Sequence, residues 1–519
     1  MLKKIRTTLA LVFFIGITLL FLDFTGTMHR WLTWMTRVQA LEAVLALNVG
    51  VVLALIVLTL VFGRIYCSVI CPLGVFQDVI ARVGKRVKKN RYTYSKALSW
   101  LRYSVLGIFI VALVAGVGSI FQLLAPYSAY GRIATTIFQP LWKLANNGLA
   151  SIAEHLDSYA FYSVDVLLPS FGAVLAIAGI TCLVLIPLAF SNGRTYCNTI
   201  CPVGTALSFL ARFSWLKVRF VEDKCRKCSK CTKNCKAACI DYKTQTVDYS
   251  RCVVCGDCIS QCNFGALRFA PKPLPKKEGS NISQASKESR NQNDKQSTPL
   301  PHRDGLGGAS TSPSRRSFLL ATSLITTAAL AQEKKKVDGG LAIIEDKVAP
   351  KRQTPITPPG SISAQHMAKH CTGCQLCVSE CPNNVLRPST DLMHLMMPTS
   401  SYEVGYCRPE CNRCSQVCPA GAIKPLRHED KASTQIGHAV WIKKNCIPLR
   451  DGVECGNCAR HCPVGAIEMV PSDPDDDESA YVPAVNENRC IGCGACENLC
   501  PARPYAAIYV EGHEAHRTI

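Results

Sequence analysis

No CxxCH sequence occurs in the chain, so it has no site for covalent attachment of a c-type haem. No residue set has the pattern of a hydrolase or transferase site. Acidic residues are scarce: 37 Asp and Glu stand against 58 Lys and Arg in 519 residues, a formal net charge of +21. The excess lies before residue 340, and the remainder of the chain is slightly acidic. A basic chain suits nucleic acid, but long apolar runs share the basic half. They make a membrane the reason for the charge and leave no nucleic-acid partner expected.

Four stretches are long and apolar enough to be predicted as membrane spans: about 7–26, 41–62, 99–121 and 166–190. Basic residues mark the loops that stay inside. Lys3, Lys4 and Arg6 precede the first span. Arg82, Lys85, Arg86, Lys88, Lys89, Arg91 and Lys96 separate the second and third, and Arg212, Lys217 and Arg219 follow the fourth. Both ends of this membrane block are therefore expected on the cytoplasmic face.

The 30 cysteines are abundant and regularly spaced. Cys225, Cys228, Cys231 and Cys235 follow C-x2-C-x2-C-x3-C, as do Cys252, Cys255, Cys258 and Cys262. Cys371, Cys374, Cys377 and Cys381 repeat it, and so do Cys490, Cys493, Cys496 and Cys500. Cys407, Cys411, Cys414 and Cys418 open with a longer gap, and Cys446, Cys455, Cys458 and Cys462 with a still longer one. This spacing predicts six [4Fe–4S] clusters, two in the first block and four in the second. Zinc and disulfides are the rivals, but three close thiols plus a fourth, six times over, suit cubane ligation better. Three thiolates on a tight turn bind one cluster, and the fourth is expected to start a helix and reach the neighbouring cluster. Pro382, Pro419, Pro463 and Pro501 follow that fourth cysteine and suit a first helical turn. Lys236 and Asn263 stand there in the first block, where Cys239 is a spare that could replace Cys235 as a ligand.

GRIYCSVICPLG at 63–74 and GRTYCNTICPVG at 193–204 are one motif used twice. Cysteines at i and i+4 would share a helix face. Cys67, Cys71, Cys197 and Cys201 are thus expected to converge as a cofactor-binding site. Metal ligation, a redox-active disulfide and simple packing all remain open. Asp23, His29 and Glu42 lie near the outer membrane edge, where they would take protons from a quinol or merely be solvated.

The pattern divides the chain into a membrane domain (1–215), a two-cluster domain (216–272), a polar linker (273–313), a segment at 314–332, a second linker (333–362) and a four-cluster domain (363–519). The fold class expected is multidomain: an α-helical membrane block of four spans plus small α+β dicluster-ferredoxin modules. The segment around 312–331, SPSRRSFLLATSLITTAALA, has paired arginines before a short apolar run, like a twin-arginine export signal. It would form a fifth span or be cleaved after AALA, although Lys334, Lys335 and Lys336 fit an outward end poorly.

The paired C-x3-C-P motifs followed by Cys225–Cys262 resemble the NapH type of ferredoxin protein of periplasmic nitrate respiration. The part from Arg315 onward resembles the NapG type, with its twin-arginine signal, four cluster motifs and long-gap motif at Cys446–Cys462. NosR-like and cytochrome-oxidase-accessory ferredoxin proteins share the membrane motif. The resemblance covers nearly the whole chain except the linker and implies a fusion of the two types. It implies a multi-pass protein of the bacterial inner membrane whose C-terminal domain is periplasmic. Its electron-transfer role would pass electrons from quinol through six [4Fe–4S] clusters to a periplasmic reductase or multihaem cytochrome. Membrane lipid and the quinone pool are the other partners implied. The alternative is a redox-sensing or maturation polyferredoxin.

Overall fold

Long uninterrupted apolar runs favour helix where no cap or left-handed residue stops them, and this chain shows both outcomes. The computed structural model describes residues 2–87, 92–158, 161–166, 172–271, 347–476 and 479–519. The linker 273–313 and the twin-arginine-like segment 314–332 lie outside the described residues.

All four predicted spans are helical over most of their length, but they are not equal. Leu2–Leu22 and Gly172–Asn192 have 21 residues each. At 1.5 Å per residue each is about 31 Å long, enough to cross a hydrocarbon core. Val12, Ile15, Ile180 and Leu183 are exposed on them. The second expected span is broken. Leu47 takes a left-handed φ of 52°, and the Asn48 side chain accepts from Val51 N to start a new helix, Val49–Phe62, of 14 residues. The third stops at Gly116, whose φ of 72° closes the 17-residue helix Ser99–Ala115 with a left-handed cap. Among the described residues two helices, not four, are therefore long and apolar enough to span.

A further helical run was not legible as a span. Pro126–Ile133, a π-helical stretch Ala134–Phe138 and Gln139–His155 follow one another directly. Arg132, Lys143, Asn146 and Asn147 interrupt its apolar character. Its first turns are buried, with the Tyr130 ring against Phe14, Phe21 and Phe76.

The cysteine blocks are small α+β modules, as expected. Each joins short helices with two-stranded antiparallel ladders. Lys217–Phe220 pairs Leu267–Ala270 and Ile240–Asp241 pairs Thr246–Val247 in the first block. Leu386–Pro388 with Pro398–Ser400, Thr434–Trp441 with Ile508–Thr518, and Ile467–Pro471 with Tyr481–Val485 build the second. Residues 1–274 and 347–519 form one compact unit.

Within that unit the two blocks meet opposite ends of the Leu2–Leu22 helix. At its start, Lys3 Nζ lies 3.1 Å from Asp257 Oδ1 of the first block. The basic loop joins this side, with Tyr92 N donating to Lys233 O at 3.2 Å and Ser95 N to Ala238 O at 3.4 Å. Beyond the helix's other end, His29 Nδ1 lies 2.9 Å from Glu380 Oε2 of the second block. Arg37 donates to Gln416 O at 3.3 Å, and Gln122 to Cys371 O at 3.0 Å.

Candidate metal centres

The backbone of each regularly spaced motif is wound in the same way. The second and fourth residues after the first cysteine are left-handed: Lys227 and Ser229, Val254 and Gly256, Gly373 and Gln375, Gly492 and Gly494, with φ between 48° and 78°. Alternating right- and left-handed residues turn successive N–H groups inward and make an anion-binding concavity. Val254 is β-branched and held at φ 52°, an outlier that costs about 1–3 kcal/mol and persists only where the surroundings impose it.

The fourth cysteine does not start a helix. Cys381 and Cys418 end the helices Leu376–Glu380 and Arg413–Val417 in extended conformation, with ψ of 110° and 114°. Pro382 and Pro419 are the cause, because a following proline ring disfavours the helical region for the residue before it. Each fourth cysteine nevertheless lies beside the first three cysteines of the neighbouring motif. One cavity is walled by Cys225, Cys228, Cys231 and Cys262. A second is walled by Cys446, Cys455, Cys458 and Cys500, and a third by Cys490, Cys493, Cys496 and Cys462. Cys235 lies within electrostatic range of Cys255 and Cys258. Cys418 is within range of Cys371, Cys374 and Cys377, and Cys381 of Cys407 and Cys414. The last four motifs thus pair first with second and third with fourth. Cys239 sits inside the second set, its Sγ 3.5 Å from that of Cys235.

These residues fit [4Fe–4S] clusters. Burial pushes the Cys371 and Cys493 thiols up to about 12, so their thiolates require a cation in the cavity, which iron supplies. Backbone N–H groups point at the sulfurs: Ala266 N at Cys262 Sγ (3.3 Å), Val385 N at Cys381 Sγ (3.4 Å) and Ala466 N at Cys462 Sγ (3.2 Å). Such bonds stabilise thiolate charge and tune cluster potential. In the second block the sets touch in series. Cys407 N donates to Cys493 O at 2.9 Å, and the buried Tyr402 bonds Gly492 O at 2.7 Å.

The paired membrane motif converges, but not as one helix face per copy. Cys67 lies in the helix Tyr66–Val69, whereas Cys71 precedes the separate helix Pro72–Val87. Cys201 is extended, with ψ 116°, ahead of Pro202–Ala211. Pro72 and Pro202 break each copy between its two cysteines and the next helix. All four cysteines are buried in one core. The copies hold each other reciprocally: Arg64 Nη2 donates to Cys197 O at 3.2 Å, and Arg194 Nη1 to Cys67 O at 2.6 Å. Arg64 also reaches Ser250 O, two residues before Cys252, at 2.9 Å. Asp78 accepts Arg194 Nε at 2.6 Å and lies 2.8 Å from Lys236 and 3.1 Å from Arg6. Burial alone would raise the Asp78 carboxyl, but these cations hold it far below the usual carboxylate range.

Of the three outer-edge candidates, Asp23 is an anchor. Its Oδ1 accepts from Thr25 N, Thr25 Oγ1 and Gly26 N, and its Oδ2 from Met28 N. His29 lies between Asp23 and Glu380. Burial alone would lower its pKa, but the two carboxylates raise it from 6.5 to about 9. Glu42 is 1% exposed, and its Oε1 has no hydrogen-bond partner among the described residues. Glu380, Arg64, Gln77 and Asp78 carry no signal in the sequence that marks them as partners of these sites. Only the position of Arg64 within the repeated GRxYC could have pointed to any of them.

Cysteine sets in ferredoxin modules define an iron–sulfur electron-transfer protein. Comparison with known proteins agrees and goes further. A 4Fe-4S binding domain matches residues 45–91 and 173–220, a 4Fe-4S dicluster domain 453–503, and another 4Fe-4S binding domain 365–387. Ferredoxin-type protein NapF of Escherichia coli K12 is 32% identical over 162 residues, 30% of this chain and 87% of NapF. Ferredoxin-type protein NapG of the same strain is 30% identical over 177 residues, 31% of this chain and 75% of NapG. An uncharacterized protein of Methanocaldococcus jannaschii is 24% identical over 277 residues, 52% of this chain and 86% of its own. The chain belongs to the family of ferredoxin-type proteins that includes NapF and NapG. No solved structure matches it.

Proposed function

We propose that this chain is a membrane-bound electron-transfer protein that oxidises quinol and delivers electrons to an acceptor, a reductase or multihaem cytochrome, on the outer side of the membrane. The observation that carries this reading is the attachment of the two cysteine blocks to opposite ends of a membrane-length helix, through Lys3–Asp257 and His29–Glu380. Six [4Fe–4S] clusters, about 24 irons at four per cluster, supply one-electron transfer when bound. The chain's own residues do the rest. Cysteines of one motif reach into the neighbouring set and join the sets in pairs. Phe220, Tyr242 and Phe264 wall the Cys225 cavity. Glu42, buried with no cation beside it among the described residues, is the group best fitted to accept a proton from quinol, while Asp23 and His29 fasten the second block in place.

Two measurements test the reading. Protease added to intact spheroplasts should degrade the Cys371–Cys500 block and spare the Cys225–Cys262 block. Replacing Arg315 and Arg316 by Lys should then protect both. A reduced quinol analogue added anaerobically to the purified chain should bleach its visible iron–sulfur absorbance. Protection of both blocks in the unaltered protein would remove the outward acceptor, and failure to bleach would remove quinol as donor.

A further inference from the structure

The second cysteine block covers its apolar side chains well, with one exception. Leu392 is 81% exposed and Met393 72%. No other large apolar residue described in 347–519 exceeds the 57% of Val453. Every other large apolar side chain described as 72% exposed or more lies within residues 1–215, Val114 and Leu183 among them. Single exposed apolar residues are ordinary on a protein surface, but an adjacent pair displayed this fully marks a surface that something covers.

The loop that carries the pair is built rather than loose. It joins the paired strands Leu386–Pro388 and Pro398–Ser400. Ser389 N donates to Met397 O at 2.8 Å, and Met396 N to Ser389 O at 2.9 Å, which closes its base. At its tip Asp391 Oδ1 accepts from Met393 N at 3.5 Å, and Asp391 Oδ2 lies 2.8 Å from His394 Nδ1. The run DLMHLMM at 391–397 is thereby divided between two environments. Met396 and Met397 are fully buried, and Gln375, the residue after Cys374, donates to Met396 O at 2.8 Å. Leu392 and Met393 are left outside.

Position decides what covers them. Ser119 Oγ donates to Leu392 O at 2.5 Å and ties the tip to the turn that follows the helix Ser99–Ala115. That helix begins beside the basic loop and the first block, and its 17 residues run about 25 Å at 1.5 Å each, so the turn stands at the opposite side. Val114, Val117, Ile120 and Leu123 around the turn are exposed as well. In a bilayer crossed by this helix, Leu392 and Met393 extend that apolar band at the level where acyl chains give way to headgroups. Exposed Lys369 lies beside Gly116, with its Cγ 3.9 Å from where a Cβ there would sit, and its cation suits lipid phosphate. A partner protein seated on the pair would have to share this site with the lipid around Val114 and Ile120; lipid itself needs no such fit.

We propose that the loop 389–397 is an interfacial anchor, in which Leu392 and Met393 insert into the outer leaflet beside Ser119 and hold the Cys371 set against the membrane. The inference rests on the membrane-bound reading and is independent of the quinol donor and the outer acceptor.

The test uses the whole chain in vesicles of phosphatidylethanolamine and phosphatidylglycerol. The photo-crosslinking residue p-benzoylphenylalanine is placed in turn at Leu392, Met393, Leu183 and Val453. Irradiation and mass spectrometry of the released peptides then identify the adducts. Lipid adducts are expected at Leu392, Met393 and Leu183, and none at Val453. Two adjacent tip positions are labelled so that the result stands if one variant does not assemble, which its visible iron–sulfur absorbance reports. Adducts at Leu183 with none at Leu392 or Met393 would overturn the proposal and leave the membrane-bound reading intact. Absence at all four positions would remove both. A crosslink from the tip to a second copy of the chain in place of lipid would also overturn it.

Discussion

Replacing His29 by glutamine removes the cation that lies 3.5 Å from Asp23 Oδ2 and 2.9 Å from Glu380 Oε2, where the membrane block meets the second cysteine block. His29 rises from 6.5 to about 9 in the assembled protein and is only 8% exposed, so solvent screens the pairing little. Asp23 belongs to the same block as His29, so only the Glu380 share of that rise acts across the junction; at about 1.4 kcal/mol per pKa unit it contributes on the order of 1–2 kcal/mol, or roughly tenfold in an association constant. The sign follows from the direction. A raised histidine stabilises the docked form fully below 6.5, and that stabilisation is lost as pH rises through 9. The assay places a specific protease site in the second linker at 333–346, beyond the segment 314–332, so that after cleavage the second block is held by non-covalent contacts alone. Washed membranes should retain the block at about pH 6 and release it at about pH 9.5, on either side of the two pKa values. His29→Gln should release it at both, and His29→Gln/Glu380→Gln should remove the pH dependence while sparing Glu380 an unpaired charge. Equal retention of the unaltered protein and His29→Gln at the lower pH would refute the reasoning.

Cys418→Ser should remove the same EPR component as Cys374→Ser, and not the one lost in Cys411→Ser, because Cys418 completes the Cys371 set. Gly131→Val should weaken retention in the cleavage assay by at least the ~1–3 kcal/mol of an overpacked contact. A Cβ there meets Cys374 O at 2.2 Å, whereas Gly107→Val, with nothing within 4 Å, should be silent. Asp78→Asn leaves Arg6, Arg194 and Lys236 without their shared carboxylate. A loss of about 3–5 kcal/mol is expected, read as a lowered melting temperature in detergent.

What the chain's linear order could determine was whatever contiguous spacing decides. Three cysteines within seven residues, as at Cys225, Cys252, Cys371 and Cys490, favour a tight turn, so the ferredoxin character of the cysteine blocks was legible, as was the repetition of GRxYCxxxCPxG. Apolar run length was a weaker guide. It found four helices, but Leu47 and Gly116 cut two of them short through backbone conformations that hydropathy does not register. The helix at Pro126–His155 stayed hidden because its polar residues mask a face that only packing makes apolar. Local geometry was misjudged wherever proline acts backwards on the preceding residue, at Cys71, Cys201, Cys381 and Cys418. Tertiary structure alone decided which fourth cysteine lies beside which set, and that Arg64 stands 3.8 Å from Cys67 Sγ. It alone joined His29 to Glu380, far apart along the chain. Spacing constrains only groups that share a turn or a helix; partners brought together by burial are chosen by complementary charge and shape, which the order of residues does not display.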